Sequence, residues 1–483
     1  MNAVFLASAL AERPAAPSGT SSGVRERRLF LVMLLATLIA CTTETDSGNG
    51  GLAMTATATL SPLIPTVAVV EFDGPADATS VRVEWGRSTA YGHVTEIGVS
   101  GTGSGAVVGL HPGTEYHWRA VAVTEAGDVV GPDQTITTGS LPVGVGDLTV
   151  EIPGEPSFGY VVTTTLGMSA NAVIYDEEGV AVWFIIADGG SVFSAVRVKR
   201  DGTGVLLQVM DGYRKSDIGA TRDYAWDGTL VSHTRTPAAH HDFVETEAGH
   251  YGYCSIDVRE TEVDGMATSV VGEAIREIPP GGSEADITTV WTSWDTLPVR
   301  VDATTDGGFY PQGLDWIHCN GLAYQAERQA YTLSAYSLGS IIEIDRTTGE
   351  NNWVFSGADN EFEIEGGRPF RDAHSPEPTT DGFRLFINRT EAELYSRVAR
   401  YVLDVDAMTA RESESIELDR AYYSYILGDS NALPNEGLLV TWGSAGVITE
   451  LDADGSPAWI GSANIGTIIG FGEPVLTPGG PLP

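Results

Sequence analysis

Ile174-Tyr175-Asp176-Glu177-Glu178-Gly179-Val180-Ala181-Val182-Trp183 is the stretch that decides the fold. An apolar run ends in an acidic turn closed by glycine, and a second apolar run ends in tryptophan. Asp and Gly suit the tight turn of a β-hairpin, and the tryptophan is placed to pack between neighbouring sheets. The same unit returns at Ile344-Asp345-Arg346-Thr347-Thr348-Gly349-Glu350-Asn351-Asn352-Trp353 and at Leu451-Asp452-Ala453-Asp454-Gly455-Ser456-Pro457-Ala458-Trp459. A second kind of turn-plus-strand piece supplies the other hairpin: Asp201-Gly202-Thr203-Gly204-Val205, Asp381-Gly382-Phe383 and Asn435-Glu436-Gly437-Leu438. Repeated four-stranded units are how a β-propeller hides its sheet edges. Residues 148–480 are roughly 330 in number, and about 45–50 per blade allows six or seven blades. Asp452 and Asp454 lack the rest of a calcium ligand set, so this segment reads as a turn and no metal site is expected.

Working outward, the segment before the repeats has a different rhythm. Ser80-Val81-Arg82-Val83-Glu84-Trp85 and Tyr116-His117-Trp118-Arg119-Ala120-Val121 alternate polar and apolar residues, as half-buried strands do. Between them, Leu110-His111-Pro112-Gly113-Thr114-Glu115-Tyr116 has the form of a tyrosine corner, in which the hydroxyl ties back to the preceding turn. Residues 53–141 resemble a fibronectin type III β-sandwich, so the whole chain is expected to be all-β. His111 and His117 are expected at the surface of this module.

With 57 Gly, 24 Pro and only 19% charged residues, the chain has the composition of a turn-rich protein with a core. Its 65 acidic and 27 basic residues give a net charge of −38, which argues against nucleic acid and anionic membrane surfaces as partners. Near the start, Arg25-Glu26-Arg27-Arg28 precedes an apolar run of twelve residues, Leu29 to Ala40. That run is too short to span a bilayer but suits a signal peptide over residues 1–40. Its end, Leu38-Ile39-Ala40-Cys41, resembles the lipobox of bacterial lipoproteins, which implies lipidation at Cys41. Such a protein would be tethered through residues 41–52 and face the periplasm or the cell surface. Cys254 and Cys319 remain as an even pair, either a disulfide or two buried thiols.

Chemistry is indicated by histidine. Four of the nine histidines fall in three short segments: His240-His241-Asp242-Phe243, Trp316-Ile317-His318-Cys319-Asn320 and Asp372-Ala373-His374-Ser375. Imidazole exchanges protons and accepts transferred groups near neutral pH. Placed on the innermost strands of different blades, these histidines would converge on one axial pocket. His318 and Asn320, two apart, would point the same way along a strand.

In this order the three segments, with the unit ending at Trp353 and the later Gly428-Asp429-Ser430-Asn431, resemble bacterial arylsulfotransferases over roughly residues 150–475. The resemblance implies an exported six-bladed propeller that moves a sulfuryl group from a phenolic sulfate donor to a phenol acceptor without a nucleotide or other cofactor. It also implies a transiently sulfurylated histidine at His374, with His241 (or His240) and His318 in acid/base and charge-stabilising roles. Asn320 would donate to the sulfuryl oxygens. One departure stands out: where the family carries an arginine, this chain has Tyr336, in Ser334-Ala335-Tyr336-Ser337. A lost charge-assisted contact is worth about 1.5–3 kcal/mol. Arg371, Arg368 and Arg389 are the nearby cations that would replace it, and Tyr336 would otherwise bind a different substrate. Two alternatives therefore stay open: a propeller hydrolase or transferase of other specificity, and a non-catalytic surface binding module.

Overall fold

The structure is a computed structural model that describes residues 53–211, 215–301, 310–368, 370, 372–389 and 395–482. The expected signal segment, the tether with Cys41, and Arg371 lie outside the described residues.

Six four-stranded antiparallel sheets are built from residues 160–475; Thr149–Glu151 and Glu363–Glu365, the latter parallel, add a fifth strand at the outer edge of two of them, and Leu314–Asp315 pairs parallel with a third. Taken in chain order, their innermost strands are Val192–Val198, Ala239–Glu245, Cys319–Gln325, Asp372–Thr379, Asp429–Ala432 and Ile468–Val475. Each touches the next, and the last touches the first, so the six form a closed ring, the arrangement of a β-propeller. Closure is made by the chain's own ends: Ile468–Val475 pairs with Tyr160–Leu166 and completes the sheet that the N-terminal part of this region began.

The tryptophans of the repeated unit hold the ring together, as expected of them. Trp183, on the outermost strand of the first blade, donates its indole N–H to the Trp226 carbonyl of the second at 2.8 Å. Trp291 of the third blade reaches Asn351 of the fourth at 2.9 Å, and Trp459 of the sixth reaches Glu177 of the first at 2.7 Å. Trp353 of the fourth blade stacks on Phe383 of the fifth, with ring centroids 5.8 Å apart. Each buried indole removes roughly 150–250 Å² from water, which is worth several kcal/mol at about 25 cal/mol per Å².

Residues 55–137 form two further antiparallel sheets around Val81, Val83, Trp85, Ile97, Tyr116 and Trp118. The Tyr116 hydroxyl accepts the His111 N–H at 3.0 Å, the bond expected of a tyrosine corner. The last strand of the chain, Gly479–Pro481, leaves the propeller and pairs with Thr102–Val107 of this sandwich. His111 corrects the expectation of a surface residue. Its side chain is only 14% exposed, and its Nε2 lies 2.6 Å from Asp176 Oδ2 in the acidic turn of the first blade. The turn that decides the fold thus also anchors the sandwich.

Candidate active site

Three consecutive inner strands lose their regularity at their histidines. In Ala239–Glu245, the residues from Ala239 to Phe243 face only Ser255 to Tyr253, so His240 and His241 bulge out of the ladder. One extra residue is accommodated between Cys319 and Gly321, and another between His374 and Glu377. Bulges bend a strand and re-aim its side chains. At the same places the backbone is left-handed: φ is 54° at His241, 57° at His318 and 46° at Ser375. Each such non-glycine residue costs of order 1–3 kcal/mol, a strain found most often at functional sites. Gly321 lets the fourth and fifth blades close, because a Cβ there would sit 2.6 Å from the Ser375 nitrogen.

The alternation argument for His318 and Asn320 does not hold in this backbone. His318 precedes the strand and takes left-handed dihedrals, and the bulge follows at once. Asn320 is buried, and its amide donates to the Ala373 carbonyl at 3.4 Å, joining the inner strand of the fourth blade to the residue before His374.

The histidines themselves converge. The His241 and His318 rings are 4.8 Å apart in edge contact, and His240 and His318 are 6.3 Å apart. Tyr310 packs against both His240 and His318, and Tyr336 meets the His318 ring edge-on at 5.4 Å. Asp315 holds His318 Nδ1 at 2.5 Å. Burial, followed by the neighbouring His318, His240 and His374, drives the His241 imidazole well below its ordinary pKa. His374 is lowered to about 4, chiefly by burial and despite a bond from Asn388 that acts the other way. Both are neutral imidazoles at neutral pH.

Asn388 decides which nitrogen of His374 is available. Its amide N–H₂ donates to the carbonyls of Ser424 at 3.1 Å and Leu427 at 2.8 Å, so its oxygen faces His374 Nδ1, 2.6 Å away. An oxygen can only accept, so Nδ1 carries the hydrogen and Nε2 keeps the lone pair. His374 is therefore held as the tautomer that can attack an electrophile through Nε2.

Beside the histidines, His241 forms part of the wall of a cleft whose other side is largely apolar: Leu166, Val192, Phe193, Met210 and Ile468. The cleft is partly open to solvent. Among the cations considered for the missing arginine, Arg368 pairs with Glu417 at 2.6 Å, out on the blade. Arg389 is ion-paired with Asp372, two residues before His374, and Tyr336 lies within its electrostatic reach. Among the described residues no group of His, Cys, Asp and Glu is arranged to hold a metal ion.

Cys254 and Cys319 form a disulfide that ties the third blade to the inner strand of the fourth, next to His318. Four contributors escaped the sequence reading: Asn388, Glu273, Asp315 and Tyr310. The first two carried a signal, since Glu273 in Val270-Val271-Gly272-Glu273-Ala274-Ile275 and Asn388 in Leu385-Phe386-Ile387-Asn388 are lone polar residues ending or interrupting apolar runs.

Two family models, each described as Arylsulfotransferase (ASST), match residues 153–365 and 292–464. Comparison with curated proteins gives no match. Among solved structures, the chain is similar to a protein of unknown function from Bacteroides caccae at 12% identity, with 63% of this chain and 93% of that chain covered and a TM-score of 0.37. It is similar to a chain of a nidogen/laminin complex at 6% identity, with 65% and 97% covered and a TM-score of 0.40. A putative 6-phosphogluconolactonase from Bacteroides uniformis matches at 10% identity, with 65% and 99% covered and a TM-score of 0.33.

Proposed function

We propose, on the two arylsulfotransferase (ASST) family models that match residues 153–365 and 292–464, that this protein moves a sulfuryl group from a phenolic sulfate to a phenol through a sulfurylated His374. The observation that carries this reading is the fixed tautomer of His374: a buried, neutral imidazole with Nε2 free, beside two further histidines from two other blades. In the first half-reaction Nε2 attacks sulfur, the S–O bond to the donor's aryl oxygen breaks, and that oxygen takes a proton. In the second, an acceptor phenol gives up its proton, its oxygen attacks sulfur, and His374 is released. The ring becomes positive while it carries the sulfuryl group, and the Asn388 oxygen stabilises the Nδ1–H it then holds more strongly.

The apolar side of the cleft suits the aryl groups of donor and acceptor. His241 is the proton donor and acceptor toward the phenolic oxygens. Asn320, Tyr336 and His318 bound the sulfuryl oxygens, with Arg389 as the cation beside Tyr336 in the role left open by the family arginine. The disulfide fits an oxidising compartment, which supports, with the Leu38–Cys41 segment, an exported lipoprotein anchored through Cys41. No helix among the described residues is long and apolar enough to cross a membrane. The sandwich at residues 53–141 is read as a fibronectin type III-like spacer or docking module.

The expected replacement of a family arginine by Tyr336 motivates a second reading. With Tyr336 in place of an arginine, the site has less charge to offer a sulfate, which would suit a binding protein for phenols. Incubation with a chromogenic phenyl sulfate and a phenol acceptor separates the two. Acceptor-dependent release of phenolate that disappears in His374→Ala supports transfer. Phenol binding without turnover supports the second reading.

A further inference from the structure

Glu273 is the least expected residue of the site. Its side chain is 1% exposed, and its two oxygens are taken by His240 Nε2 at 2.8 Å and the Cys319 N–H at 2.9 Å. An ionised carboxylate so deeply buried requires a compensating charge, and of these two contacts only His240 can carry one. The other nitrogen of His240, Nδ1, lies 2.8 Å from Nδ1 of His241. Two ring nitrogens at that distance share a single hydrogen, which leaves two arrangements. With a cationic His240, both of its nitrogens donate, His241 accepts at Nδ1, and the His241 hydrogen sits on Nε2. With a neutral His240, its hydrogen stays on Nε2 against Glu273, His241 donates from Nδ1, and His241 Nε2 is bare.

We propose that Glu273, His240 and His241 form a proton relay that makes His241 an acid in the first half-reaction and a base in the second. This rests on the sulfuryl-transfer reading above. The proton count closes. When the donor's aryl oxygen leaves sulfur, it takes the hydrogen of His241 Nε2, and the shared hydrogen crosses from His240 Nδ1 to His241 Nδ1. When the acceptor phenol attacks, its proton goes to His241 Nε2 and the shared hydrogen returns. No proton is gained or lost over the cycle: His240 is cationic against Glu273 before the donor's S–O bond breaks and again after the acceptor has attacked, and it is neutral in between, while His374 carries the positive charge. Charge on His241 itself is opposed by its burial and by His318 and His374 facing it, with Asp315 on the far side of His318 and Tyr310 packed on His240. Glu273 and His240 are thus positioning residues, and His241 meets the substrate.

The test uses the full folded chain and two readouts. The first is the ¹⁵N spectrum of the imidazoles near pH 7, with His240→Gln and His241→Gln for assignment. The relay predicts His240 protonated on both nitrogens in the wild type and on one in Glu273→Gln. A singly protonated His240 in the wild type would overturn it. The second is a series of aryl sulfates with leaving phenols of rising pKa. Glu273→Gln should lose roughly 10²-fold in turnover with the poorest leaving group and far less with the best, because proton donation matters most where the phenolate is least stable. Glu273→Asp should recover part of that loss. An equal loss across the series would mark a merely structural carboxylate and refute the relay. If the wild type turns over no aryl sulfate at all, the transfer reading fails, while the spectra still decide where the proton rests.

Discussion

Two halves of one ring contrast sharply. The inner strands of the third, fourth and fifth blades carry bulges, left-handed residues and the histidine cluster. Across the channel, the first and second blades offer Leu166, Val192, Phe193 and Met210, with Trp183 bonding one blade to the next. The same repeated unit therefore does two jobs. Where the inner strands keep ordinary dihedrals, as in Val192–Val198 and Ile468–Val475, apolar side chains build a wall even though the ladder shifts register at Phe193–Ala195 and beside Ile469–Gly472. Where left-handed residues join the bulges, side chains are re-aimed and strain is held by bonds such as Asn388 to Ser424 and Leu427, and Asp242 to the Leu322 N–H at 3.0 Å.

Breaking the histidine-bearing half should have the largest effects. His374→Ala is expected to lower sulfuryl transfer by about 10⁴-fold or more with the fold intact, measured by phenolate release and circular dichroism. Opening the Cys254–Cys319 bond, which closes a separation of 65 residues, should lower stability by about 4 kcal/mol on the loop-entropy argument, read from denaturant unfolding of Cys254→Ser. Asn388→Ala should cost roughly 10²-fold in the first half-reaction, because the Nδ1–H of His374 loses its acceptor.

Asn388 also has a pH signature. With His374 lowered to about 4, its neutral form persists from neutral pH downward and transfer should fall only as pH drops through about 4. Asn388→Asp places a carboxylate on Nδ1, favours the cation and should move that acid limb upward; an unmoved limb would mean that another group sets it.

The apolar half should respond more mildly. Phe193→Ala is expected to raise KM for an aryl donor roughly tenfold with little change in kcat, as loss of uniform apolar binding does. The smallest effect concerns the sandwich. His111 is raised above its ordinary pKa, chiefly by its bond to Asp176. Its stabilisation is therefore full below the unfolded value and is lost as pH rises through the raised one, at about 1 kcal/mol or less. Melting curves across that range should converge between wild type and His111→Gln at high pH, with turnover unchanged.

How much was legible follows the same division. The repeated turn and tryptophan exposed the regular part of the fold because each is a local pattern with a local cause. The histidine segments were legible because histidine is scarce in this chain. Glu273 and Asn388 were not singled out: their partners lie 33 and 14 residues away in sequence, and only pairing of strands brings them together. The alternation argument for His318 and Asn320 lost its premise for a related reason, since it assumes an unbroken strand and a bulge follows Cys319. His111 looked like a surface residue of an isolated module until the sandwich met the acidic turn at Asp176.

The most direct measurement is the intact and peptide mass of the protein after mixing with an aryl sulfate in the absence of acceptor. The account predicts one added sulfuryl group, located on the peptide containing His374, discharged on adding a phenol and absent in His374→Ala. Turnover with no adduct on His374, or an adduct that a phenol does not discharge, would contradict it.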